Sequence, residues 1–85
     1  MQDKKDKILQ ALAKIIRTKR GNHSITQLSL CADVSKSIWA MIEKGNRDTQ
    51  LTTFFRIAEA LYIKPSELLK EIENELGDDF SSISL

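Results

Sequence analysis

Apolar residues recur along this chain at the spacing of α-helices, with charged and hydroxylic residues between them. Leu9, Leu12, Ala13 and Ile16 form one stripe, which Ile8 and Ile15 widen to about 160°. They predict a first helix over residues 3–19, ended by Gly21-Asn22, with Lys19 and Arg20 against the negative end of its dipole. A stripe that wide expects neighbours on more than one side. Beyond a polar loop holding His23, two short helices follow, over residues 24–32 and 35–45, joined at Asp33-Val34. Ser24 is placed to N-cap the first, with Gln27 completing a capping box, and Ser35 to N-cap the second. Gly45 suits a left-handed stop. Leu28, the small Ser29 and Ala32, and Cys31 as a small hydrophobe are expected inside.

Leu51, Phe54, Phe55, Ala58 and Leu61 predict a fourth helix over residues 51–61, all five in the core, capped from Asp48, Thr49 or Gln50. Pro65 opens a fifth, with Glu67 in its first turn, a stripe of Leu68, Leu69, Ile72 and Leu76, and Gly77 as its stop. No segment within residues 1–77 has the two-residue period of a strand. The expectation is an all-α, compact five-helix domain over residues 1–77, followed by a tail, 78–85, that frays or adds contacts through Phe80.

Composition narrows the function. At 85 residues and 41% apolar content the chain supports one domain with a modest core. No apolar run approaches the roughly 18 residues of a membrane span, and the opening residues are too acidic for a signal peptide. Cys31 has no second cysteine to pair with, and with His23 it makes too few ligands for zinc, so a reduced, cytoplasmic setting without a metal or cofactor is expected. No paired base and nucleophile and no glycine-rich phosphate loop occur; the chain reads as a binding protein rather than an enzyme. The net charge of +1 conceals an asymmetry. Residues 1–47 carry ten Lys and Arg against four Asp and Glu, and residues 48–85 carry three against eight. Neutralising phosphates requires local positive charge, not a basic average.

The helix after Asp33-Val34 lies in the basic half and has two faces. At 100° per residue, Lys36, Ser37, Ala40, Met41 and Lys44 fall within an arc of about 140°. Ile38, Trp39 and Ile42 lie opposite, with Glu43 at the border. An ordinary amphipathic surface helix has the same pattern. So does a helix held by a Trp that offers a cationic, close-approach face to a DNA major groove.

Leu28, Val34-Ser35, Ile42 to Asn46, Leu51, Ala58 to Leu61 and Pro65 to Leu69 share one register. In that register the chain, from about Ile8 to Leu69, resembles the phage repressor and Cro class of helix-turn-helix DNA-binding domains, the XRE family. The resemblance implies a lambda repressor-like fold with the helix-turn-helix at the second and third helices. It implies base-edge contacts from Lys36, Ser37 and Met41, and backbone contacts from Ser24, Ser35, Asn46 and Arg47, joined by Lys44. Arg17 matches an arginine that pairs with the glutamate at Glu43, which makes Glu43 structural. Three positions depart from the family: Asp33 replaces a turn glycine, Ile25 a glutamine, which exposes an apolar group, and Thr49 a proline.

The implied function is a sequence-specific transcriptional regulator, a homodimer on double-stranded DNA whose recognition helices meet major-groove faces about 34 Å apart on a pseudo-palindromic operator. Phage repressors and the controllers of restriction-modification systems are similar in size. Repression is favoured because the second helix lacks an acidic patch for polymerase. With no effector domain, no small-molecule ligand is expected. The dimer surface is assigned to surplus apolar residues on the first helix (Ile8, Leu12, Ile15) and on the fifth with the tail (Ile72, Leu76, Phe80), unless these two patches pack on each other within one chain. An alternative of another class is an antitoxin-like interaction module that masks a partner with its acidic C-terminal half.

Overall fold

The computed structural model describes residues 2–77, and within them the chain folds as five helices and no strand. They are α1 (Gln2–Arg20), α2 (Ile25–Ala32), α3 (Lys36–Glu43), α4 (Leu51–Ala60) and α5 (Pro65–Leu76). No described helix is long and apolar enough to cross a membrane.

Each start and stop has a local cause. Ser24 Oγ accepts from the Gln27 N–H at 3.0 Å and Ser35 Oγ from the Ile38 N–H at 3.1 Å, so both short helices begin on a hydroxyl cap. Three helices end in the same way, on one left-handed residue that turns the next two N–H groups back onto the last carbonyls. Asp33 (φ 56°) does this for α2: its N–H donates to Leu30 O at 3.2 Å and that of Val34 to Ser29 O at 3.0 Å. Gly45 (φ 75°) does it for α3, where the Asn46 N–H reaches Met41 O at 3.1 Å. Tyr62 (φ 59°) does it for α4, with the Ile63 N–H on Ala58 O at 3.0 Å. At Gly45 the positive φ is what disfavours a side chain; a Cβ there would also lie 2.5 Å from Gln10 Nε2, the end of an exposed side chain that can move aside.

Trp39 and Ile42 of α3, Ile16 of α1, Ile57 of α4 and Leu68 of α5 are fully buried, so four helices supply the centre of the core and α2 adds Leu28 and Ala32. Burying each large apolar side chain stabilises the fold by about 1.5–3 kcal/mol. α1 packs against both α3 and α5, which accounts for the width of its apolar stripe. It runs antiparallel to α5, since Lys14 meets Glu75 at 2.9 Å and Lys19 meets Glu71 at 2.8 Å. Both pairs are solvent-exposed and contribute little beyond register, at most about 1 kcal/mol each.

Several expectations need correction. Cys31 is exposed rather than core, because it lies one residue outside the face of α2 that buries Leu28 and Ala32. Leu51 and Phe55 are exposed, as is Leu69; they sit at the edges of their helical stripes, and the inner positions are filled by Phe54, Ile57, Ala58, Leu68 and Ile72. Ile25 is half-buried and packs against the core instead of standing in solvent. The apolar patches of α1 and α5 pack on each other within the chain: Leu12 and Ile72 are buried and Leu76 is partly covered. Ile72 is therefore not available as dimer surface, and Phe80 lies outside the described residues.

Candidate nucleic-acid interface

α2, the turn Asp33–Ser35 and α3 form a pair of eight-residue helices held at several points. Leu28 and Ala32 fix α2 inward, Val34 fixes the turn, and Trp39 with Ile42 fixes α3. Arg56 of α4 supports the turn from outside, donating to Asp33 O at 3.3 Å.

The C-terminal end of α3 is tied to α1 by a charged network. Glu43 is 6% exposed, and its carboxylate turns inward. Arg20 forks onto it, with Nε 2.6 Å from Oε2 and Nη2 2.9 Å from Oε1, and the Trp39 ring N–H donates to Oε2 at 2.7 Å. The charge on Glu43 is thus met by three donated hydrogen bonds, as a buried carboxylate requires. Hydrogen bonding to Glu43, reinforced by its negative charge and opposed by burial, raises the Arg20 guanidinium above the usual arginine value.

The expected partner was Arg17. The structure places Arg17 on the backbone carbonyl of Glu43, and the carboxylate goes to Arg20. The two arginines are three residues apart, on one face of α1, so both reach the end of α3. α1 also extends to Arg20 rather than stopping at residue 19, which gives that side chain a fixed helical base. Sequence reasoning missed Arg20; the i, i+4 spacing of Trp39 and Glu43 and the paired arginines are the signals that point to it.

With Trp39, Ile42 and Glu43 inward, Lys36, Ser37, Met41 and Lys44 are left exposed on the other side of α3, and Ala40 between them is half-buried. These are the residues of the cationic arc. Ser24 and Ser35 are exposed at the helix starts, with their hydroxyls already accepting cap hydrogen bonds. Their remaining lone pairs and protons stay available to a ligand. Asn46 is held to α3 through its backbone N–H. Arg47 is exposed and lines a small hollow with Ile38, Ile42, Asp48 and Thr49. Lys36, Ser37, Met41 and Lys44 thus share the outer side of α3, while Arg47 stands beside it.

An exposed cationic face on a helix whose opposite face is immobilised can present a fixed pattern of donors and one apolar contact to a polyanion. No family model, no curated protein and no solved structure matches this chain.

Proposed function

We propose that the chain is a cytoplasmic, sequence-specific DNA-binding regulator in which α2, the turn and α3 act as a helix-turn-helix and α3 enters the major groove. Lys36 donates to guanine O6 or N7, Ser37 makes an adaptable polar contact and Met41 packs on a thymine methyl. Ser24, Ser35, Lys44, Asn46 and Arg47 meet phosphates and set the register. It acts as a homodimer on a pseudo-palindromic operator, and as a repressor. One observation carries this reading: the polar, cationic side of α3 is exposed while its other side is fixed by Trp39, Ile42 and the Glu43 network.

The acidic half offers less support for the interaction-module reading, because Glu71 and Glu75 are already engaged by Lys19 and Lys14. The test is fluorescence anisotropy on the duplex upstream of the chain's own gene, beside a scrambled duplex, from about 50 to 200 mM salt. Preferential binding that falls steeply with salt and is lost in the Lys36→Ala, Arg47→Ala double variant supports the reading. Absence of binding to either duplex at micromolar protein overturns it.

A further inference from the structure

α1, the loop before α4, α4 and α5 leave a hollow of about 240 Å³ between them. Leu9, Leu12, Phe54 and Ile72 are its buried wall, and Ile8, Leu51 and Leu69 its exposed apolar rim. Its two polar residues, Asp48 and Thr49, are adjacent in the chain and so stand on one side. An apolar lining with a few polar groups in one place is the composition of a small-molecule site, where the polar groups orient a ligand that is otherwise apolar. A cavity of about 150 Å³ admits benzene, so this hollow has room for a ring and a short chain.

The polar side names the head group. Asp48 is exposed and has no ion pair among the described residues, so its charge is unspent. No Lys, Arg or His lines the hollow, so an anionic head group meets only a like charge there. Thr49 Oγ1 is buried without a hydrogen-bond partner among the described residues. Such orphans are rare and costly in folded proteins, and valine would fill the same space without the cost. A hydroxyl kept at that cost, beside an apolar hollow and an unspent carboxylate, fits a ligand that brings donors. An ammonium group has three donors and the charge that answers Asp48, where an alcohol has one donor and no charge.

We infer that this hollow binds a small primary amine. Asp48 holds the ammonium group, which gives Thr49 Oγ1 the partner it lacks, and the aliphatic or aromatic chain lies against Leu9, Leu12, Phe54 and Ile72. Lack of an effector domain implies no ligand from sequence alone, but this hollow lies within the helical domain itself. None of its residues belongs to α2 or α3, so the site goes beyond the DNA-binding reading and does not depend on it.

Methyl NMR of the full chain at neutral pH tests it, with phenethylamine as the probe and phenethyl alcohol and hydrocinnamate as its neutral and anionic counterparts. The amine is expected to shift the Ile8, Leu12, Leu51, Leu69 and Ile72 methyls saturably, with a dissociation constant at or below about 1 mM. It is expected to bind at least about threefold tighter than the alcohol, and the carboxylate more weakly than either. Asp48→Asn is expected to remove the preference for the amine and to leave alcohol binding in place. Thr49→Val is expected to raise the melting temperature and to weaken amine binding, opposite effects that a purely structural hydroxyl does not produce. Absence of saturable shifts at about 10 mM amine overturns the proposal. So does equal binding of the three probes by the wild type, a comparison that needs no variant to fold. A preference that survives Asp48→Asn, or amine binding untouched by Thr49→Val, overturns it as well. In the protein alone, methyl shifts that move with protein concentration would put a second copy in the hollow, and contacts from the Phe80 ring would put the chain's own tail there; either result overturns the amine site.

Discussion

Arg20 holds Glu43 by both ends of its fork, the last residue of α1 closing on the last residue of α3. The two ends of this pair are not equivalent. Glu43 is buried, whereas the Arg20 side chain is 23% exposed and can reach water if its partner is lost. Removing the arginine strands a buried carboxylate and removing the charge on Glu43 does not strand the arginine. Arg20→Ala is expected to cost about 3 kcal/mol and Glu43→Gln about 1–2 kcal/mol. Urea unfolding of both, with the double variant, measures the coupling, which is expected to exceed about 1 kcal/mol. Because the folded-state pKa of Arg20 is raised, its contribution is complete below the unfolded arginine pKa and lost only as pH climbs through the folded one. Neutral to moderately alkaline pH leaves it intact.

Two left-handed non-glycine residues give a graded comparison. Asp33 tolerates that conformation better than most residues, and its 3.9 Å approach to Arg56 is exposed and weak. Tyr62 has the same backbone strain, and its 98% exposed ring touches little in return. Asp33→Gly is expected to be neutral or to stabilise by up to about 1 kcal/mol, and Tyr62→Gly to stabilise more than Asp33→Gly. Thermal melts of the two variants check the order.

Thr49 Oγ1 is buried and has no hydrogen-bond partner among the described residues. Valine has the same shape without the hydroxyl. Thr49→Val is expected to gain about 1 kcal/mol in chemical denaturation, with an unchanged denaturant slope.

At the proposed DNA interface, the exposed positions are expected to separate by role. Lys36→Ala is expected to cost about 1–3 kcal/mol on the cognate site and to relax the base preference there. Arg47→Ala should weaken cognate and scrambled duplexes alike and reduce the salt slope by about 1. Both side chains are exposed, so melting is expected to stay within about 0.5 kcal/mol of wild type.

The helices and their caps were legible because each rests on local chemistry: a 3.6-residue period, Ser24 and Ser35 as hydroxyl caps, Gly45 as a left-handed stop. The inner side of α3 was legible too, since Trp39 and Ile42 point one way and the lysines the other. Periodicity gives the centre of an apolar stripe but not where a neighbour stops covering it, which is why Leu51, Phe55 and Cys31 read as core and are exposed, and why Leu69 of the α5 stripe is exposed too. The carboxylate partner of Glu43 turned on α1 continuing one residue further, to Arg20, which gives that arginine the helical base from which it reaches the end of α3. Tyr62 carried no signal, because nothing in a tyrosine marks a left-handed turn.

The antiparallel clasp of α1 on α5 brings together the first and last helices of the described chain. During synthesis α1 therefore emerges from the ribosome well ahead of Leu68 and Ile72, the α5 residues that share its core. Until α5 follows, the side of α1 that it covers in the folded chain lies open, an apolar surface of the kind that makes unfinished chains prone to aggregate.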